Sequence, residues 1–331
     1  MNFKETFYSL VSHYKDFSSS YHKKIDTPNQ APIYIAVSSK KQPAFLFDIG
    51  SNYSDNELLH DTAGYHFVKA KKTKDYIRIG IVALSEKSYE VFFIVVEDLI
   101  SVASDTTNDP SAAIIKRLLM WEEFFKNTEA GVLDKKMQIG LFGELSFLEE
   151  ALSDGIDSSI ISHWKGPDKE VKDFILGDSA LEIKTSLVTA TNRIKISNEN
   201  QLDSSGFSNL FLNVRLLEQD QMDGISLPAL VESIEKKLED DPYVTSRFKE
   251  KLLLSGYAFP MSSYYKAKYR LSDSLWYKVG DIENLPFPRI IPDYLIKGIK
   301  LVQYQIELST LSTFAVDSKS AKDSLSKGLE K

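Results

Sequence analysis

The sequence predicts an α/β (α+β) protein in which helices flank a mixed central sheet. Two observations lead to this class. Segments rich in β-branched and aromatic residues recur along the chain, separated by Pro, Gly, Asn and Asp. Between them lie segments with apolar residues at helical intervals, as at Leu141, Leu145, Leu148 and Leu152. Alternation of helices and strands in this way is typical of the α/β class.

Composition excludes several classes of function. The 331 residues include no cysteine, which rules out disulfides, cysteine-based zinc sites and thiol catalysis. The formal net charge of -7 argues against a protein that coats nucleic acid non-specifically, but it permits a local basic groove. No stretch has the roughly 18 apolar residues of a membrane span, and residues 1–17 lack the apolar run of a secretory signal. We therefore expect a soluble, cytoplasmic protein without a membrane partner.

Shifts in composition divide the chain into four predicted parts. Residues 1–125 form a β-rich N-terminal domain, with a short helix before the strand-like segments APIYIAVSS, PAFLFDIG, YIRIGIVAL and YEVFFIVVEDLI. Residues 126–225 form a core that opens with the helix MQIGLFGELSFLEEALSDG. Its predicted strands are SSIISHW, DFIL, ALEIKTSLV, NRIKIS and NLFLNVRLL. Residues 226–316 form an α+β extension with two helices, and residues 317–331 have too little apolar content to pack, which predicts a disordered tail.

A charged hairpin in the core carries the functional argument. Gly177-Asp178 lies between two strand-like segments and predicts a type II′ turn. That turn sets a register with the pairs Leu176–Ser179, Ile175–Ala180, Phe174–Leu181 and Asp173–Glu182. Phe174, Leu176, Leu181 and Ile183 then share an apolar face, and Asp173, Glu182 and Lys184 share the other.

Two carboxylates on opposed residues need an explanation. Side chains at such positions have Cβ atoms about 4.5–5.5 Å apart, and like charges there are destabilising. A divalent cation between Asp173 and Glu182 would remove the repulsion, because Mg²⁺ is commonly held by one or two carboxylates with water and phosphate. Lys184 could then orient a water molecule or neutralise charge on phosphorus. The alternative is an exposed hairpin with a solvated Glu–Lys pair.

The segments GELSFLEEAL, HWKGPDKEVKDF, LEIKTS and RIKISNENQL, within about residues 135–215, resemble the PD-(D/E)XK nuclease superfamily. The likeness is strongest to its restriction- and defence-associated members, the "PD-(D/E)XK motif proteins". It implies a restriction-endonuclease-like core and a catalytic set of Asp173, Glu182, Lys184, Glu144 and Gln201. Asp173, Glu182 and Glu144 would bind Mg²⁺, with Mn²⁺ as an alternative. The motif's proline is missing, because Lys172 precedes Asp173, and we reject Asp168 because it lies outside the hairpin register.

The resemblance also implies an activity and partners. We expect a Mg²⁺-dependent endonuclease of double-stranded DNA in a bacterial restriction or anti-phage system, acting as a homodimer or beside an operon-encoded ATPase, helicase or methyltransferase. The alternative is a non-cleaving or partner-activated DNA-binding subunit. The N-terminal domain would contact DNA or a partner. Gly140 and Gly143 would let the helix that carries Glu144 lie close to the sheet.

Other candidates keep a plain structural alternative. Glu144 could be a helix-surface residue and Gln201 an ordinary polar residue at a helix start. The segment YYKAKYRLSDSLWYK interleaves aromatic residues with Lys266, Lys268, Arg270 and Lys278, which could contact phosphates and stack bases or form an ordinary amphipathic sheet. His163-Trp164-Lys165 resembles the H-x-K of phospholipase-D-type nucleases, but that mechanism needs a second such motif.

Overall fold

The computed structural model describes residues 3–13, 21–51, 60–106, 108–126, 132–189, 192–282 and 285–329. The chain forms two compact units, Met1–Val132 and Leu133–Lys331. Within the described residues, no helix is long and apolar enough to cross a membrane.

The first unit contains a five-stranded antiparallel sheet. Its strands are β1 (Tyr21–Lys24), β2 (Ile33–Val37), β3 (Pro43–Gly50), β4 (Tyr65–Lys72) and β5 (Tyr76–Ala83). They lie in the order β1-β2-β3-β5-β4. Residues 43–47 and Ile49 of β3 are buried, and because successive side chains point to opposite faces, both faces of this strand are covered. The sequence therefore predicts β2, β3 and β5 correctly.

In its described residues, this unit also contains the helices α1 (Phe3–His13), α2 (Tyr89–Asp105) and α3 (Pro110–Lys126), with a 3-10 turn at Glu86–Ser88. The strand predicted at residues 89–100 is wrong, because this segment lies within α2. Phe92, Val96, Leu99 and Ala103 are all buried, and their spacing is that of one helix face. A continuous apolar run with many β-branched residues does not distinguish a buried helix from a buried strand.

The second unit is organised around a mixed sheet. Its strands are β6 (Phe174–Leu176), β7 (Ser179–Leu187), β9 (Asn209–Gln219), β10 (Ile225–Ser226) and β11 (Lys268–Lys278), in the order β10-β11-β9-β7-β6. β7 and β9 are parallel, and the other pairs are antiparallel. A separate two-stranded sheet pairs β8 (Arg193–Ile196) with β12 (Tyr304–Glu307). The predicted mixed central sheet is confirmed.

The helices of this unit are α4 (Lys135–Ser153), α5 (Ile160–His163), α6 (Leu227–Lys237), α7 (Pro242–Leu254) and α8 (Ser318–Ser326). Short 3-10 helices lie at Gly166–Asp168, Glu199–Leu202, Phe259–Tyr264, Pro292–Tyr294 and Leu308–Phe314. Residues 158–164, predicted as a strand, instead contain α5. Four residues of mixed apolar and polar character carry too little periodicity to separate one helical turn from a short strand.

The structure differs from the predicted division of the second unit. β10 and β11, which belong to the predicted extension, pair into the same sheet as β7 and β9. The boundary expected near residue 225 therefore falls inside one sheet. The predicted disordered tail contains α8, whose N-cap Asp317 accepts a hydrogen bond from the Ser320 amide, and which buries Ala321 and Leu325. Two apolar residues four positions apart give a weak sequence signal, so this helix was missed.

Candidate active site

A cleft of about 740 Å³ in the second unit contains all five residues of the predicted catalytic set. They come from four places in the chain: Glu144 from α4, Asp173 from the residue before β6, Glu182 and Lys184 from β7, and Gln201 from the 3-10 helix Glu199–Leu202. The fold therefore brings the five side chains together, as the sequence predicts. Their catalytic roles remain predictions.

The charged hairpin has the predicted register. Phe174 pairs with Leu181, Ile175 with Ala180 and Leu176 with Ser179. Gly177 has a φ of 58°, as the first central position of a type II′ turn requires. Asp173 stands just outside β6, where its Oδ2 atom accepts a hydrogen bond of 2.7 Å from the Ile183 amide. This bond fixes the Asp173 carboxylate beside the strand that carries Glu182 and Lys184.

Lys184 links β7 to the 3-10 helix Glu199–Leu202 through hydrogen bonds. Its Nζ atom donates to Glu182 Oε1 at 2.7 Å and to Gln201 Oε1 at 3.0 Å. Gln201 Oε1 also accepts from the Ser197 amide at 2.7 Å. The Lys184 ammonium is therefore held at a defined point, and the side chain is only 15% exposed.

Glu144 reaches the same place from α4. Its Oε2 atom accepts a hydrogen bond of 2.7 Å from Trp164 Nε1. A Cβ atom at Gly166 would lie 2.7 Å from Glu144 Oε2 and 3.4 Å from Asp173 Oδ1, so these two carboxylates share one small region. Glu144 is thus a half-buried residue of the cleft rather than a solvated residue of the helix surface.

Gly143 explains how α4 approaches β7 so closely. A Cβ atom on Gly143 would overlap the Thr185 hydroxyl, whereas a Cβ atom on Gly140 would have no neighbour within 4 Å. The predicted close approach is therefore confirmed at Gly143 and is wrong at Gly140, which lines the cleft instead.

Burial and mutual repulsion set the electrostatics of the carboxylates. Burial raises the pKa of Glu182 above its usual range, and the nearby Asp173 charge raises it further. The same two causes raise the pKa of Glu144, and burial raises that of Asp173. For Lys184, burial acts to lower the pKa, but the charges of Glu182 and Asp173 outweigh it and raise the pKa. One ammonium thus faces three carboxylates that resist simultaneous ionisation.

The donor set fits a hard divalent cation. Glu182 is fully buried, and its Oε2 atom has no hydrogen-bond partner within the described residues. A buried carboxylate oxygen without a donor is costly, and a cation would satisfy it. Across those residues, no group of three or more His, Asp or Glu side chains is arranged to hold a metal ion. Asp173 and Glu182 with water would form a common ligand set for Mg²⁺, and the Glu144 carboxylate shares the region of Asp173.

Several residues of the site were missed from the sequence. Lys172, buried and next to Asp173, donates hydrogen bonds from Nζ to the carbonyl oxygens of Asn200 and, at 2.8 Å, Gln201. Its pKa is lowered to about 8, chiefly by burial. From the sequence, Trp164 stands out only as part of the H-x-K triplet. The sequence signal for Lys172 is its position, because it stands where the motif has proline. The signal for Trp164 is that it follows the apolar residues Ile160 and Ile161.

The alternatives weighed from the sequence are placed elsewhere. Asp168 accepts a hydrogen bond of 2.8 Å from the buried Lys251 and does not line the cleft, which supports its rejection. His163 Nδ1 lies 2.7 Å from the Ile175 carbonyl oxygen, a contact within the fold.

The basic residues predicted to bind nucleic acid do not line the cleft either. Lys266, Lys268, Arg270 and Lys278 lie on or just before β11, and Arg270 forms ion pairs with Glu218 at 2.5 Å and with Asp220 at 3.5 Å. The cations at the cleft are instead Lys135, Lys136, Arg193 and Lys195, together with Lys184.

The mixed sheet, the helix carrying Glu144 and the Asp–Glu–Lys hairpin define a protein of the PD-(D/E)XK class. A comparison with protein families agrees, since residues 4–309 match the family described as "Putative PD-(D/E)XK family member, (DUF4420)". The chain belongs to this family. No curated protein and no solved structure matches it.

Proposed function

We propose that this protein is a Mg²⁺-dependent DNA endonuclease that hydrolyses phosphodiester bonds in a bacterial restriction or anti-phage system. Its family membership supports a nuclease-like fold. The observation that carries the proposal is the buried Glu182 Oε2 atom, which has no hydrogen-bond partner in the described part of the chain and lies beside Asp173 and Lys184 in the cleft. Stability alone does not account for such an arrangement, whereas a metal-assisted hydrolase requires one.

The residues that would hold Mg²⁺, or Mn²⁺ in its place, are Asp173 and Glu182, with Glu144 as a third candidate. The bound cation would supply positive charge to the phosphate and to the leaving oxygen. Asp173 is oriented for this role by the Ile183 amide, and Glu182 by Lys184. Each carboxylate is therefore preorganised before substrate arrives.

Lys184 would act on the reacting phosphate. Water adds to phosphorus as the bond to the leaving sugar oxygen breaks, and negative charge increases on the non-bridging oxygens. The Lys184 ammonium, held by Glu182 and Gln201, is positioned to donate a hydrogen bond to this charge or to the attacking water. Gln201 is a positioning residue in this scheme, because its amide oxygen is fixed by the Ser197 amide.

Plasmid nicking tests the proposal. Purified protein is incubated with supercoiled DNA and either Mg²⁺ or Mn²⁺, and the wild type is compared with Asp173→Ala, Lys184→Ala and the exposed control Glu170→Gln. We expect nicking by the wild type and the control, and a loss of at least a hundredfold in the other two, in the range typical for a removed charge-stabilising group. Cleavage that persists in both alanine variants would contradict the assignment of the catalytic site.

A second candidate is a subunit that binds DNA but cuts only with a partner, such as an operon-encoded ATPase, helicase or methyltransferase. The net charge of -7 favours it, because an acidic chain has little general attraction for DNA. The same assay separates the two candidates. Nicking that appears only when the product of a neighbouring gene is added supports the partner-activated form.

A further inference from the structure

The charges of the cleft are separated by depth. At its floor, Glu182 is fully buried, and Glu144, Asp173 and Lys184 are half-buried. Four further cations line the same cleft but are exposed to solvent. These are Lys135, Lys136, Arg193 and Lys195, which we call the basic rim.

The basic rim comes from two distant parts of the sequence. Lys135 and Lys136 occupy the first turn of α4, and Arg193 and Lys195 lie on β8. Because residues on a strand alternate between its two faces, Arg193 and Lys195 project to the same side, while Ile194 between them is buried. The fold, rather than local sequence, therefore collects the four cations at one cleft.

Among the described residues, these four cations have few interaction partners. Over the residues that the structure describes, the side chains of Lys135, Lys136 and Lys195 have neither an ion pair nor a hydrogen bond. Arg193 has one partner, Glu307, at 2.7 Å, and both side chains of that pair are about half exposed. An exposed ion pair is weak, so Arg193 can exchange Glu307 for another anion at little cost.

We propose that the basic rim binds the phosphate backbone of duplex DNA and so brings a phosphodiester to the carboxylates at the floor of the cleft. This inference rests on the proposed nuclease function. The carboxylate floor repels an anion, so the approach of a phosphate requires compensating positive charge at the mouth of the cleft. One phosphate could be neutralised by Lys184 at the floor. Four more exposed cations on two elements suit a polyanion with several phosphates.

Two exposed lysines of the same unit provide a matched control. Lys236 on α6 and Lys319 on α8 do not line the cleft, and neutralising both removes the same charge as each rim double variant. If only the overall charge of the protein mattered, neutralising either set would weaken DNA binding equally. If the basic rim is the contact surface, the two sets differ.

DNA binding measured without cleavage tests this inference. A fluorescent duplex is titrated with full-length protein in EDTA at several salt concentrations. The variants are Lys135→Gln/Lys136→Gln, Arg193→Gln/Lys195→Gln and the control Lys236→Gln/Lys319→Gln. For each phosphate contact that is lost, the magnitude of the slope of log K against log[salt] falls by about 0.9. We expect each rim variant to reduce the magnitude of this slope by about 2 and to weaken DNA binding more than tenfold. We expect the control to change neither the slope nor the affinity.

The possible outcomes separate this inference from the proposed function. If the wild type binds DNA through the basic rim but never nicks plasmid, the result supports the basic rim and contradicts the proposed endonuclease activity. Plasmid nicking that depends on Asp173, with unchanged DNA affinity and salt slope in both rim variants, contradicts the basic rim alone. Equal losses in the rim and control variants also contradict it. Rim-dependent binding of an RNA duplex, without binding of the DNA duplex, would overturn the choice of DNA. Thermal melting curves of all variants would check that the exposed substitutions leave the fold intact.

Discussion

Lys172 shows how one residue can organise a site without facing its substrate. It stands where the family motif has proline, and its buried ammonium holds the carbonyl oxygens of Asn200 and Gln201. Those carbonyls belong to the 3-10 helix whose Gln201 side chain receives a hydrogen bond from Lys184. A chain of contacts therefore runs from Lys172 to the residue proposed to act on phosphate.

Substitution of Lys172 by methionine should loosen this chain. Lys172→Met removes the ammonium donor from the carbonyl oxygens of Asn200 and Gln201, although Asn200 keeps the Asp203 amide as a donor. The loss of a hydrogen bond to a charged group costs about 1.5–3 kcal/mol. We expect a lower free energy of unfolding in urea, and a fall in kcat for DNA cleavage that exceeds the change in KM. Lys172→Arg should restore part of kcat, because its guanidinium can donate to both carbonyls. The exposed Lys236→Met serves as control, and an equal kcat in Lys172→Met and wild type would contradict the positioning role.

At this scale the sequence predicted the residues that a local pattern specifies. The Gly177-Asp178 turn and the alternation of β7 were sufficient to place Asp173, Glu182 and Lys184 together. The partners of Trp164 and Lys172 depend on contacts between segments far apart in the chain, for which a single sequence carries no pattern.

The element that most directly shapes the site is α4. Its glycines differ in what surrounds them: Gly143 lies against Thr185 of β7, and Gly140 faces open space in the cleft. Close contact at Gly143 brings the next residue, Glu144, to the carboxylate floor. The packing of one helix on one strand therefore decides whether Glu144 belongs to the site.

Alanine at these two positions should have opposite effects. Gly143→Ala places a methyl group in the space of the Thr185 side chain, and forced overpacking of this kind costs about 1–3 kcal/mol. Gly140→Ala meets no neighbour and replaces glycine in a helix interior, which stabilises by up to about 1 kcal/mol. Urea unfolding of both variants measures the difference. Equal stabilities would mean that α4 does not contact β7 as described.

Predictions of elements succeeded where the periodicity was clear. The strands β2, β3 and β5 and the helices α6 and α7 were recognised from alternation, spacing and bounding residues. α2 was mistaken for a strand because its run of Val, Ile and Phe satisfies both patterns. α8 was missed because its stability depends on docking, including ion pairs from Lys322 to Glu150 and Asp154 of the second unit.

At the scale of the whole molecule, the predicted site lies within the second unit alone. One hydrophobic cluster of that unit runs from Ala180 of β7 through Leu212 of β9 and Tyr277 of β11 to Phe314 near the C-terminus. Residues of the predicted core and of the predicted extension therefore share one core. Composition along the chain could not show this, because β9 pairs with β11 over sequence separations that run from Gln219–Tyr269 to Phe211–Lys278.

This organisation predicts which fragments fold. A fragment of residues 133–331 retains the complete sheet and cluster, so we expect a cooperative urea transition and native-like circular dichroism. A fragment of residues 126–225, the core as divided by composition, lacks β11 and leaves an edge of β9 unpaired. We expect it to aggregate or remain unfolded. Cooperative folding of the shorter fragment would contradict the shared core.

The central claim is that the hairpin carboxylates hold a divalent cation, and Mn²⁺ binding tests it most directly. The metal-free protein is titrated with Mn²⁺, and free ion is measured by electron paramagnetic resonance. We expect saturable binding to the wild type and to Glu170→Gln, and loss of that binding in Asp173→Asn and in Glu182→Gln. Wild-type protein that binds no Mn²⁺, or variants that bind it as tightly as the wild type, would contradict the account.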